Sequence, residues 1–317
     1  MADSWHSVVD KELASVDSLM RSEVRSAYPE LNEMCEDMFR AGHHESRVSL
    51  CALSYYLSGG KDVDIVVPTA ACFEAVFDGL NLHDRIDSSG SVVGAKKKLF
   101  SKGTSTTKVI VAGDFMYVMG FRLAYSRVPK VVPYLMRASA SITDAIFAIV
   151  NRAHDPSITE DECRAIMEKK SIIEQCVIME CAAEQAGASE ETIRTMSECG
   201  SLLGAVMQIR YDLEDLIGPK GQRASMNTMI AGYPTLPIYY AMQDPDAGQK
   251  IKDIFSKKDP SIKDLIQVAE LIKSTDSFSK CRAIINDSLD RLREIVYGMK
   301  DSEYRAALLS FADDLAQ

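Results

Sequence analysis

Residues 68–87 read PTAACFEAVFDGLNLHDRID. From Pro68 to Leu82 the run is apolar at most positions and shows no strand-like alternation, so it reads as a helix buried on most sides. The proline suits a first helical turn. The run ends on Asp84 and Asp87, three residues apart and therefore on one helix face. A second segment has the same build: QIRYDLED, residues 208–215, closes another apolar helix, and Asp212 and Asp215 repeat the spacing. Two such ends facing one another across a cavity suit a divalent cation holding a diphosphate. Hard cations take oxygen ligands, and magnesium binds through a few carboxylates plus phosphate oxygens. Solvated helix ends carrying i,i+3 charge pairs are the bland reading of the same residues.

Helical periodicity extends outward from these two segments. Beside 68–82, it predicts helices over 4–26, 45–57, 109–125, 131–150, 159–186, 190–217, 234–242, 261–274, 279–299 and 302–316. Pro29 reads as linker, and DVDIVV at 62–67 reads as either strand or helix. The expectation is an all-α chain forming one domain over 1–317. The 317 residues are 46% apolar and 26% charged, an ordinary globular composition that needs neither disulfide nor metal for stability. The eight cysteines form no C-x-x-C pair, which argues for buried thiols against a zinc site. A net charge of −10 argues against nucleic acid, whose binding rests on cations. The apolar runs are too short for a membrane span, and the polar start MADSWHSVVDKEL lacks a signal pattern, so the expected location is cytoplasmic. The 109–125 helix is apolar over more than one stripe (Val111, Phe115, Val118, Met119, Leu123) and predicts a covered second face, hence a dimer.

Further signals fall in a fixed order: Ser58-Gly59-Gly60-Lys61 before the first acidic segment, Ala112-Gly113-Asp114 after it, Lys170-Ser171 before the second, and Thr235-Leu236-Pro237 beyond it. With His83 and Gln208, this order from about Ser54 to Tyr240 resembles the trans-polyprenyl (isoprenyl) diphosphate synthase family. That family's pattern joins a Gly-Gly-Lys stretch, two Asp-rich motifs, an Ala-Gly-Asp helix start, a Lys-Thr pair and a Thr-Leu-Pro. The resemblance implies an isoprenoid-synthase-type helical bundle around a central cavity. It implies prenyltransferase chemistry of isoprenoid biosynthesis, with magnesium and prenyl diphosphate as ligands. It assigns Asp84, Asp87, Asp212 and Asp215 to metal, Lys61, His83, Lys170 and Arg223 to substrate, and Lys170 and Gln208 to catalysis.

The chain departs from that pattern at the chemistry. The second Asp of the first motif is Arg85, a cation among carboxylates, and the first Asp of the second motif is Tyr211, a poor magnesium ligand. Asp62 and Asp64 replace arginines, as do Val92 and Val93, and valine cannot replace a bidentate phosphate donor. Lys96, Lys97, Lys98 and Lys102 lie close in sequence to the lost pair. Magnesium binding is therefore expected to be weak or ligand-dependent. Two expectations stand: a polyprenyl diphosphate synthase homologue with a weakened or altered site, or a catalytically silent partner subunit of an active synthase. In the second case the dimer is a heterodimer; in the first, a homodimer or a heterodimer. A terpene-cyclase-like lyase ranks last, since it too needs an intact metal motif.

Overall fold

The computed structural model describes residues 5–39, 44–86, 105–218 and 224–316. Among them the regular elements are all helical: α1 (Trp5–Glu23), α2 (Pro29–Phe39), α3 (His44–Leu57), α4 (Val63–His83), α5 (Thr106–Arg127), α6 (Val132–Arg152), α7 (Glu160–Met167), α8 (Ile173–Gln185), α9 (Glu190–Ile217), α10 (Asn227–Ala231), α11 (Leu236–Met242), α12 (Gly248–Phe255), α13 (Ile262–Lys273), α14 (Ser277–Tyr297) and α15 (Glu303–Leu315). A 3-10 turn, Pro129–Val131, precedes α6, and a π turn, Glu168–Ile172, joins α7 to α8.

Local chemistry sets these boundaries. The Asp62 carboxylate accepts the Asp64 N–H and caps α4, so DVDIVV is helix, and Pro68 lies inside α4 instead of opening it. A proline there removes one backbone bond, which the cap and the burial of nearly every α4 side chain offset. Reciprocal capping boxes start α7 (Thr159 with Glu162) and α13 (Ser261 with Asp264). The pattern over 159–186 predicts one continuous helix; the π turn interrupts it. Helices α2, α10 and α12 are absent from the sequence reading, because each is short, spanning only about one to three turns.

Two compact units make up the chain. The first comprises Met1–Ala140, Glu174–Ser201 and Arg293–Asp314; the second comprises Ser141–Ile173, Leu202–Leu292 and Leu315–Gln317. In the first, α4 is the hub and packs on α1, α3 and α5. Phe73, Phe77 and Leu82 of α4 are wholly buried with Met20, Leu50, Leu53 and Met116. Each such side chain contributes roughly 1.5–3 kcal/mol relative to exposure. Helices α4 and α5 touch backbone to backbone: a Cβ on Gly79 would meet the Gly113 carbonyl oxygen at 2.7 Å, so glycine is required at the crossing. Helix α5 is long and apolar enough by composition to cross a membrane, but it is the partner of α4, with Val109, Ala112, Met116, Gly120 and Leu123 buried. In the second unit Ile209, Ile251, Phe255, Val268, Ile272 and Leu289 form the core. No disulfide links the eight cysteines, and seven of them are buried.

Candidate functional site

The first acidic segment closes α4. His83 is its last residue and Asp84 its C-cap. The imidazole lies against the α5 backbone, with Nε2 3.1 Å from the Ile110 carbonyl oxygen and 3.3 Å from Asp114 Oδ1. Gly113 permits this approach, since a Cβ there would come within 2.4 Å of Nε2. The Ala112-Gly113-Asp114 signal thus has a physical cause: Gly113 makes room for the ring and Asp114 faces it. Arg85 follows, half-buried. Burial lowers its pKa, and Asp78 and Asp84 act in the opposite direction. Asp87, Val92, Val93, the lysines at 96–98 and 102, and Arg223 lie outside the described residues.

Lys61, Asp62 and Asp64 stand at the opposite end of α4. With 21 residues at a rise of about 1.5 Å each, the helix separates them from His83 and Asp84 by about 30 Å. The structure keeps Lys61 and Asp84 at opposite ends of α4. It brings together instead a buried cluster that the sequence reading missed. Arg47 of α3 donates from Nε to Glu74 Oε1 at 2.8 Å and from Nη2 to Glu74 Oε2 at 2.9 Å, and Nη2 also donates to Asp78. Glu174 lies 3.8 Å from Arg47 Nη1. Burial alone would lower the Arg47 pKa, but Glu74 and Asp78 outweigh it and hold the guanidinium well above its ordinary value. Glu74 and Asp78, four apart in an otherwise apolar helix, were the available signal.

The second segment belongs to the C-terminal part of α9. Ser171, on the π turn, donates to Gln208 Oε1 at 2.5 Å, and Gln208 Nε2 donates to Asp212 Oδ1 at 2.7 Å. Gly204 allows the contact: a Cβ there would sit 2.8 Å from Ile172 Cα. With Lys170, Thr228, Tyr233 and Thr235, these side chains line a cavity of about 70 Å³ floored by Ile149, Ile166 and Leu236, room for a few waters. Lys170, Gln208 and Asp212 line this cavity together with Ser171, Thr228 and Tyr233. A π turn at such a point is a recurrent device for aiming side chains at a site.

Asp212 is 6% exposed. Burial pushes its carboxyl up to about 7; the Gln208 hydrogen bond and Lys170 oppose this, and Asp215 adds to it. Since the folded value lies above the unfolded one of about 3.9, Asp212 destabilises the fold progressively as pH rises from about 4 to about 7, and to a constant extent above that. Asp212→Asn is therefore expected to raise the melting temperature at pH 8 and to leave it unchanged near pH 4. The gain should grow by about 1.4 kcal/mol per pH unit across the window. Thermal unfolding at a series of pH values checks this; a pH-independent difference contradicts it.

Asp215 is engaged differently. Its Oδ1 accepts from Ser225 Oγ and from the Asn227 N–H (2.9 Å), and its Oδ2 from the Thr228 N–H (2.9 Å) and Thr228 Oγ1 (2.5 Å). Tyr211, in place of a first aspartate, is 40% exposed. A magnesium ion needs several free carboxylate oxygens in octahedral geometry. Here Asp215 is engaged on both oxygens, and Asp212 is buried with one oxygen accepting from Gln208. Among the described residues no three His, Cys, Asp or Glu side chains converge on a metal position. As they stand, the two described carboxylates of the second segment do not fit a resident magnesium ion.

The described residues thus give a helical chain with a small cavity of mixed lining beside the carboxylate-bearing helix α9, and the comparisons supply the family. The profile of the polyprenyl synthetase family matches residues 28–272; the chain belongs to that family. It is 21% identical over 315 residues to heptaprenyl diphosphate synthase component 2 of Geobacillus stearothermophilus, covering 98% of this chain and 96% of that protein. It is 25% identical over 310 residues to a dimethylallyltranstransferase of Mycobacterium tuberculosis, covering 95% and 92%. The polyprenyl synthase of Caulobacter crescentus, solved with calcium and isoprenyl diphosphate, superposes with a TM-score of 0.88 at 20% identity over 100% of this chain and 98% of that one.

Proposed function

We propose that this chain is a prenyltransferase-class protein of isoprenoid biosynthesis with a weakened site, which does not elongate prenyl diphosphates alone and acts as the partner subunit of an active synthase. The single observation that carries this reading is the geometry of the second acidic segment: Tyr211 in place of a carboxylate, Asp212 buried and bonded to Gln208, and Asp215 occupied on both oxygens. Magnesium then binds the chain weakly and only with phosphate oxygens that a ligand brings. The roles given to His83, Asp84, Lys170 and Gln208 are residual contacts to a prenyl diphosphate, and the chain acts as one domain in the cytoplasm. Similarity to a protein named as a synthase component supports the subunit reading.

The test is a magnesium-containing assay with labelled isopentenyl diphosphate and geranyl or farnesyl diphosphate, run with this protein alone and mixed with an active synthase of its source organism. No product alone, together with a changed rate or product length in the mixture, supports the proposal. Ordinary turnover alone refutes it. The retained Ser171–Gln208–Asp212 chain beside Lys170 favours a second reading, a prenyltransferase with a different acceptor. Consumption of the allylic diphosphate without incorporation of isopentenyl diphosphate would select it.

A dimer is part of the proposal. Helix α5 buries one side on α4, while Val111, Val118 and Tyr125, at seven-residue spacing, are 51%, 56% and 80% exposed. That stripe faces outward from its own unit and suits a partner's helix. Light scattering at micromolar concentration is expected to return twice the chain mass, or a 1:1 complex when the active synthase is present. Val118→Glu is expected to shift the species to monomer.

A further inference from the structure

We infer that Asp215 is the latch of the 224–228 segment, a positioning residue for the cavity wall and not a metal ligand. An ionised carboxylate offers about four acceptor positions, and this one fills them with Ser225 Oγ–H, Asn227 N–H, Thr228 N–H and Thr228 Oγ1–H. Its backbone carbonyl takes a fifth donor, the Met226 N–H, at 2.9 Å. All five come from four consecutive residues.

What they hold is strained. Met226 has φ 56° and ψ 25°, the left-handed region, without being glycine. Its side chain is 5% exposed, so a glycine would lose that packing. A non-glycine residue persists in that conformation only where its surroundings over-determine it, and the Asp215 bonds on both sides of Met226 do so. They also satisfy the first N–H groups of α10, which have no partner within so short a helix. Thr228, gripped through both its N–H and its hydroxyl, lines the cavity beside Gln208 and Asp212. The carboxylate therefore sets where that wall stands, and a cation at Asp215 would have to displace these donors. The inference holds whether or not the chain condenses prenyl diphosphates.

Amide hydrogen exchange on the full chain tests it, for wild type, Asp215→Ala, Asp215→Asn and Ser225→Ala, each with magnesium and with EDTA. Asp215→Ala is expected to speed exchange at Asn227 and Thr228 about a hundredfold or more, since a local opening replaces charge-assisted bonds. The ratio should be the same with magnesium and with EDTA. Asp215→Asn keeps one acceptor oxygen, so it should protect one of these two amides and release the other. A general loss of stability would not produce that split. Ser225→Ala removes one hydroxyl and should raise exchange across 225–228 by less than about tenfold with the fold intact, which keeps the test decisive if Asp215→Ala fails to fold. Unchanged exchange at both amides in every variant, or wild-type protection that appears only with magnesium, overturns the inference.

Discussion

Supplied with isopentenyl diphosphate, geranyl diphosphate and magnesium, the unmodified protein is expected to form elongated product several powers of ten more slowly than one carrying Arg85→Asp, Val92→Arg, Val93→Arg and Tyr211→Asp together. Binding a diphosphate needs fixed cations or a metal, and the sequence has two valines where the resembled family has an arginine pair. A charge-assisted hydrogen bond contributes about 1.5–3 kcal/mol, and each 1.4 kcal/mol is tenfold. Two lost guanidinium groups and a missing metal carboxylate therefore compound, even with incomplete additivity. Arg85→Asp removes a cation from the end of α4, where Asp84 stands beside it. Asp64→Arg, by contrast, is expected to add nothing, because α4 holds Asp64 about 30 Å from Asp84. Steady-state incorporation of label is the measurement. Ordinary turnover by the unmodified chain, or rescue by Asp64→Arg alone, would sink this account of the site.

Arg47→Met is expected to destabilise the protein by about 3–5 kcal/mol, the scale for breaking a buried ion pair. Arg47 is 3% exposed, and Glu74 and Asp78 are 0% and 3% exposed. Removing the guanidinium takes away the charge-assisted bonds that Arg47 gives to two carboxylates buried in the helix core. It also removes the cation lying 5.9 Å from the centroid of the Phe77 ring. Arg47→Met combined with Glu74→Leu and Asp78→Leu should recover most of the loss, since an apolar set of similar volume is often as stable as the ion cluster it replaces. Urea unfolding with all three proteins distinguishes the cases. A single variant within about 1 kcal/mol of wild type would show that the cluster is not the desolvated network its geometry indicates. The cluster ties α3 to α4 about two to three turns before Asp84, so the triple variant also reports whether the first acidic segment depends on it.

Most helices were legible because their signals are local. The 68–82 run is apolar nearly all round, and Glu190–Ile217 appears at the same bounds in sequence and structure. The exceptions share a cause. DVDIVV has β-branched residues that favour a strand on propensity, and the Asp62 cap with burial of Val66 and Val67 overrode it. The π turn at 168–172 adds one residue to a turn and leaves no periodic trace in a helix that continues on both sides.

The candidate site divides in the same way. The order of motifs along 54–240 sufficed for the family, and the composition at Arg85, Tyr211, Val92 and Val93 sufficed for the expectation of weakened anion and metal binding. Sequence order placed Lys61 one helix before the first acidic segment, and the helical rise along α4 makes that separation about 30 Å. Tertiary structure alone joined Arg47 to Glu74 and Asp78, seated His83 over Gly113, and turned Asp215 toward residues 225–228. A residue type states which bonds a side chain can make. Which of them it makes depends on donors and acceptors that folding brings within about 3 Å, and for Asp215 those donors lie ten to thirteen residues further along the chain.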